Sequence, residues 1–136
     1  MAFLVWEDSR YSVGVKTIDG QHHMLFGMIN DLHEAMLKGQ AQTQVGPLLR
    51  KLAQYTQTHF AEEEKMMSAA NFPGLADHKF QHAQLIEKVQ AFSSRYEKGE
   101  IAMNIDLMNF LRDWLTNHIQ KVDREYSPWM IKQGVH

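Results

Sequence analysis

Histidines recur on helix faces that this sequence would otherwise bury with apolar side chains, and two of them have an acid nearby. His59 precedes Glu63 by four residues, and His118 precedes Asp123 by five. A spacing of four places an imidazole and a carboxylate about 6 Å apart along one face of a helix. A buried carboxylate without a partner costs several kcal/mol, so a positive group is expected beside Glu63.

The apolar faces of four predicted helices each carry at least one histidine. A single buried histidine is usually a hydrogen-bonded core residue. Five of them on facing helices are hard to explain as packing, because each would need its own buried partner. Imidazoles and carboxylates that converge from several helices can instead hold a metal ion. The candidate ligands are His22, His59, Glu63, His78, His82, His118 and Asp123.

The composition limits the metal chemistry. The chain has no cysteine, which excludes disulfides, zinc–thiolate sites and iron–sulfur clusters. It contains neither an HExxH nor an ExxH sequence, so zinc peptidases and carboxylate-rich di-iron oxidases are poorly supported. Imidazole suits iron, copper, zinc or nickel, and carboxylates that bridge two ions suit a dinuclear centre.

Several other polar residues are expected to be bystanders, because they lie beside this pattern or outside it. They are His23, His33, His136, Glu62 and Glu64. The two acids flank Glu63 and are expected to face water. The nine methionines suit adaptable core filling, because a thioether does not match a nitrogen and oxygen donor set.

Three breaks, each containing a glycine, divide the chain into segments with helical periodicity. The breaks lie at residues 38–40, 71–74 and 98–100. The helices between them are predicted at about 19–37, 42–69, 75–97 and 101–126. Four amphipathic helices with short connections predict an all-α fold, namely an antiparallel up-down-up-down four-helix bundle.

The two ends of the chain are predicted to flank this bundle. Residues 1–18 are predicted to form a non-helical arm that packs through its aromatic residues, Phe3, Trp6 and Tyr11. Ser127 and Pro128 resemble the cap and first turn of a short C-terminal helix, within a tail of residues 127–136, that ends near Gly134.

The spacing of His118 and Asp123 does not suit a regular helix. Five residues correspond to about 140° of rotation, so the two side chains would point in different directions. Either a π-type bulge realigns them, or they approach the site from different sides. The sequence is compatible with both arrangements.

Length and charge exclude several classes of partner. A chain of 136 residues is expected to form one domain. Its net charge of −2 gives no indication of a nucleic-acid partner, and no apolar run approaches the roughly 18 residues of a membrane span. The N-terminus lacks the basic start of a secretory signal, so the expected location is the cytoplasm. We expect a monomer.

Four segments of the sequence carry a family resemblance. DGQHHMLF, HFAEEEKMM, HKFQH and WLTNHIQKVD resemble the successive motifs of the hemerythrins, particularly the single-domain bacterial ones. The resemblance extends from Trp6 to Tyr126, and residues of the expected type fill all seven ligand positions. It is specific, because spacing and residue identity agree in four separate places.

The resemblance implies two non-haem iron ions per chain that alternate between Fe2+ and Fe3+ and bind dioxygen reversibly, without enzymatic turnover. One iron is bound by His78, His82 and His118, and the other is bound by His22 and His59. Bridges between them come from Glu63, Asp123 and an oxo or hydroxo group. Two octahedral ions have about twelve positions, of which these ligands fill all but one. The remaining position, on the iron with two histidines, is where dioxygen would bind.

Two other functions remain open at this point. The first is a di-iron enzyme that reduces peroxide or nitric oxide at the same open position. The second is oxygen or redox sensing, which normally needs an attached output domain, and we expect none in a chain of this length. The ligands alone do not separate these functions from oxygen storage, buffering or delivery.

Overall fold

The computed structural model describes residues 3–39, 45–100 and 105–135. The described residues form helices and connecting segments, without a strand among them. The helices are α1 (Asp8–Tyr11), α2 (Lys16–Leu37), α3 (Gly46–Ala69), α4 (Leu75–Glu97), α5 (Ile105–Asn117), a π-helix (His118–Asp123) and α6 (Arg124–Lys132).

The long helices pack into the predicted four-helix bundle. Helix α3 contacts both α2 and α4, and α2 also contacts α5. The main core is apolar and includes Leu25, Ile29, Leu52, Leu111 and Ile119, all of which are almost fully buried. The four-helix bundle predicted from the sequence is thereby confirmed. The predicted beginnings of the second and fourth helices, at residues 42 and 101, lie outside the described residues.

The turn between α3 and α4 lies where the sequence places it, and α4 has its predicted bounds. Asn71 follows α3 with a φ of 56°, a left-handed conformation that asparagine tolerates better than most residues. The backbone N–H of Phe72 then donates to the carbonyl of Met67 at 3.0 Å. This bond satisfies one of the carbonyls that the end of a helix leaves free.

The N-terminal arm is more helical than predicted. One turn, α1, lies within it, and α2 begins at Lys16 rather than near Asp19. The reason is the Asp19 carboxylate, which accepts hydrogen bonds from the Val13 backbone N–H at 2.9 Å and the Ser12 hydroxyl at 2.6 Å. These bonds attach the end of the arm to the first turn of α2. The prediction of a non-helical segment through residue 18 was therefore wrong.

The arm packs on α2 through its aromatic residues, as predicted. The Phe3 ring stacks on His33 with centroids 4.3 Å apart. The Trp6 ring lies 4.0 Å from that of His23. Tyr11 is buried and contacts Phe26 edge to face. His23 and His33 thus contact the arm, which agrees with their expected exclusion from the metal site.

The C-terminal part of the chain differs from the prediction of a separate short helix. The π-helix continues directly into α6, and Pro128 lies inside α6 rather than at its first turn. Ser127 does not cap a helix, because its hydroxyl donates instead to the carbonyl of Val13. The Trp129 indole N–H donates to the carbonyl of Ala70 at 2.7 Å. These contacts hold α6 against the arm and the end of α3.

Among the residues that the structure describes, no helix combines the length and the apolar character needed to cross a membrane.

Candidate metal centre

The seven predicted ligand residues meet inside the bundle. Each has a side chain that is almost or completely buried. Their potential ligand atoms form two groups, and within each group all atoms lie within 4.8 Å of one another. The first group is Glu63, His78, His82, His118 and Asp123, and the second is His22, His59, Glu63 and Asp123. The two acids belong to both groups, so they lie where a carboxylate could bridge two ions.

Asp123 contacts histidines from three helical segments. Its Oδ1 lies 3.0 Å from His78 Nε2 and 3.0 Å from His118 Nε2. Its Oδ2 lies 3.1 Å from His22 Nε2. The two carboxylate oxygens thus face different groups of imidazoles.

Glu63 has the same divided arrangement. Its Oε1 lies 3.0 Å from His82 Nε2 and 3.3 Å from His78 Nε2. Its Oε2 lies 3.3 Å from His59 Nε2 and 3.6 Å from His22 Nε2. A positive partner was expected beside Glu63. The four histidines that contact it, together with any cation that they bind, provide that partner.

A π-helix brings His118 and Asp123 together. The segment His118–Asp123 is π-helical, and a π-helix pairs residues that are five apart. The spacing that would separate the two side chains on an α-helix therefore places them on one face here. Of the two arrangements compatible with the sequence, the π-type realignment is the one found.

Two of the imidazoles are fixed from outside the cluster. His59 Nδ1 donates to Gln21 Oε1 at 2.6 Å, and His82 Nδ1 donates to Glu64 Oε2 at 2.8 Å. Amide and carboxylate oxygens only accept, so the hydrogen is on Nδ1 and each Nε2 presents its lone pair to the cluster. Glu64 was expected to face water, and that prediction was wrong. Its side chain is 25% exposed and binds a candidate ligand.

Two buried aromatic side chains complete the surroundings, and neither was predicted from the sequence. The Tyr126 hydroxyl donates to Glu63 Oε2 at 2.9 Å. The Phe60 ring stacks on His82 with centroids 3.7 Å apart and planes 2° from parallel. The sequence did contain an indication that Tyr126 lies near the site, because Tyr126 follows Asp123 by three residues and so shares its helix face. Phe60 follows His59 directly, and adjacent residues on a helix do not face the same way.

The two acids and the histidines shift one another's pKa values. Burial by itself disfavours the charged imidazole, but the close contacts and negative charges of Asp123 and Glu63 outweigh it and raise the pKa of His22 to about 9. The same causes raise the pKa of His78 to about 9. Burial alone would raise the pKa of Glu63, yet close contacts with four histidines hold that pKa well below its usual range. Burial and the charge of Glu63 would raise the pKa of Asp123, but His118 and His22 lower it below its usual range. Both acids are therefore available as carboxylates at neutral pH.

We expect the metal-free protein to lose stability as the pH rises from 6.5 through about 9. A group whose pKa is raised on folding adds stability that is complete below its unfolded pKa and is lost as the pH rises through its folded pKa. His22 and His78 are both raised from 6.5 to about 9. Urea unfolding of chelator-treated protein at pH 6.5 and above pH 9 measures the effect. Between these two pH values, the metal-free His78→Gln variant should lose less free energy of unfolding than the unmodified protein. An equal loss in both proteins would contradict the assignment of this pH dependence to His78.

The donor set fits a pair of metal ions. Several buried ring nitrogens and carboxylate oxygens have no hydrogen-bond partner among the described residues. Those that face the cluster are the Nε2 atoms of His22, His59, His82 and His118, together with Glu63 Oε1 and Asp123 Oδ2. Buried polar atoms are rarely left unpaired in a native protein. Cations bound between the two acids would satisfy them.

Comparisons with known proteins agree with this geometry. Residues 13–130 match the family model described as "Hemerythrin HHE cation binding domain". The chain belongs to the hemerythrin family. It is 34% identical to a bacteriohemerythrin from Methylococcus capsulatus, over 94% of this chain and 97% of that protein. It is also 32% identical to a myohemerythrin from Riftia pachyptila, over 90% of each chain.

Solved hemerythrin structures share the fold. A crystal structure of wild-type hemerythrin superimposes with a TM-score of 0.85 at 33% identity, covering 95% of this chain and 98% of that one. The family that the four sequence motifs predicted is therefore confirmed, as is its bundle architecture.

Proposed function

We propose that this hemerythrin binds dioxygen reversibly at two non-haem iron ions and serves in oxygen storage, buffering or delivery rather than in catalysis. One observation carries the proposal. The buried ligand atoms form two groups that share Glu63 and Asp123, an arrangement that suits two ions bridged by carboxylates. The similarity of the chain to a bacteriohemerythrin and to a myohemerythrin supports the same conclusion.

The ligand assignment follows the two groups. His78, His82 and His118 would bind one iron, and His22 and His59 would bind the other. Glu63 and Asp123 would bridge them. When bound, the iron pair supplies two electrons to dioxygen and recovers them when dioxygen leaves. The iron with two histidines has one ligand fewer from the chain, so dioxygen would bind on its side.

The other residues of the site hold this arrangement and keep water out. The Tyr126 hydroxyl fixes Glu63 through the bond to Oε2, and its own pKa is raised far above the usual value by burial and by the charges of Glu63 and Asp123. It therefore remains a donor. Phe60 is 2% exposed and covers the ring of His82. A dry site strengthens the hydrogen bonds within it and limits side reactions with water.

The test is the metal content together with an absorbance spectrum. We expect two irons per chain by elemental analysis, because two acids can bridge and the donors are all nitrogen or oxygen. The reduced protein should gain an absorbance band in air and lose it under argon, over repeated cycles. A single zinc would contradict the dinuclear iron site. Irreversible oxidation with turnover of an added reductant would indicate a di-iron enzyme instead.

A further inference from the structure

The two imidazoles that are fixed from outside have partners of different charge. His59 Nδ1 donates to the neutral amide of Gln21 at 2.6 Å, whereas His82 Nδ1 donates to the carboxylate of Glu64 at 2.8 Å. The Nδ1 atom of His22 has no hydrogen-bond partner in the part of the chain that the structure describes. In the group that contains His22 and His59, neither histidine has an anionic acceptor at Nδ1. In the other group, His82 has such an acceptor.

This difference matters for the electron density on each metal. A carboxylate that accepts the Nδ1 hydrogen makes the imidazole a stronger base at Nε2. A neutral amide oxygen does so less, because charge-assisted hydrogen bonds are roughly twice as strong as neutral ones. A stronger base stabilises the ferric ion relative to the ferrous ion. His82 is therefore expected to favour ferric iron more than His59 does.

We infer that Gln21 and Glu64 are positioning residues that make the two irons unequal, with Gln21 keeping the iron of His22 and His59 easy to return to the ferrous state. The inference rests on the proposed function, since it places His59 and His82 on different irons. Release of dioxygen requires that the iron recover its electron. A neutral acceptor behind His59 thus supports reversible binding.

Exchanging the two acceptors tests the inference. We expect Gln21→Glu to lower the midpoint potential of the iron-loaded full chain and to slow dioxygen release, because the new carboxylate would stabilise ferric iron. Glu64→Gln should raise the midpoint potential. Outer partners of ligating histidines typically change metal affinity or activity by about 10- to 100-fold. A tenfold change in ferric over ferrous affinity corresponds to about 59 mV.

Matched variants separate this effect from a general change in charge. Gln90→Glu on α4 and Glu62→Gln on α3 make the same charge changes at exposed positions. We expect their midpoint potentials to stay near that of the unmodified protein. The inference would be overturned if the midpoint potential shifted equally in Gln21→Glu and Gln90→Glu. It would also be overturned if the midpoint potential shifted in neither Gln21→Glu nor Glu64→Gln.

A second measurement does not depend on iron or on oxygen. In the protein loaded with Zn2+, the hydrogen on His59 Nδ1 should resonate farther downfield in Gln21→Glu than in the unmodified protein, because its hydrogen bond becomes charge-assisted. An unchanged resonance would overturn the inference. Failure of the proposed function would be distinct, because it would appear in the unmodified protein as missing iron or irreversible oxidation.

Discussion

Replacing His78 with alanine should remove iron and stability together. The His78 ring is 2% exposed and its Nε2 lies 3.0 Å from Asp123 Oδ1 and 3.3 Å from Glu63 Oε1. Its loss would leave two buried carboxylates with one positive partner fewer. Breaking a buried ion pair costs about 3–5 kcal/mol. A metal present at about 1,000 times its dissociation constant adds about 4 kcal/mol, which would be lost as well.

Elemental analysis and urea unfolding of the iron-loaded and metal-free variant measure the two losses separately. Alanine at His23 or at His33 provides the control, since these rings contact Trp6 and Phe3 of the arm. Both controls should keep an iron content near normal, although each can lose some stability from arm packing. Equal iron losses in His78→Ala and His23→Ala would mean that the proposed ligand set is wrong.

The clustering of the candidate ligands was predictable because these residues repeat at the helical period. His59 and Glu63, like His78 and His82, are four residues apart, so one helix face carries both. The bounds of α4 were predictable for a related reason, since the Asn71–Gly74 break and a glycine after Lys98 interrupt the periodicity on either side. In both cases, the residue types and their spacing along the chain were sufficient for the prediction.

The surroundings of the cluster were less predictable because they depend on contacts between helices. Glu64 lies one residue beyond Glu63, and its position alone indicates a solvent-facing acid. Only the packing of α4 on α3 brings His82 within 2.8 Å of it. Gln21 reaches His59 in the same way, across the contact between α2 and α3. A single sequence records the spacing within a helix but not the register between two helices.

The local sequence pattern also did not determine the π-helix or the continuous C-terminal helix. A spacing of five between His118 and Asp123 allowed two geometries, and the other residues of the cluster select one by holding Asp123 between His22 and His78. Pro128 ordinarily indicates a first turn. Here the bonds of Ser127 and Trp129 to Val13 and Ala70 favour an uninterrupted helix instead.

Replacing Phe60 with alanine should destabilise the protein and shorten the lifetime of its oxygen-binding form in air. The ring stacks on His82 and has its centroid 5.7 Å from that of His59 and 5.6 Å from that of His118. It therefore covers histidines from both ligand groups. Truncating a buried phenylalanine to alanine typically costs about 3–5 kcal/mol. Water admitted to the site would also compete for its hydrogen bonds and promote irreversible oxidation.

Loss of stability alone could mimic this result, so Leu32→Ala is the matched comparison. Leu32 is completely buried on α2, but it lies ten residues after His22, or about 15 Å along the helix. Its truncation typically costs about 2–5 kcal/mol without opening the site. The decay of the oxygen-dependent band should be followed at a temperature where both variants are folded. Faster decay in Phe60→Ala than in Leu32→Ala would identify Phe60 as the barrier to water, whereas equal rates would limit it to packing.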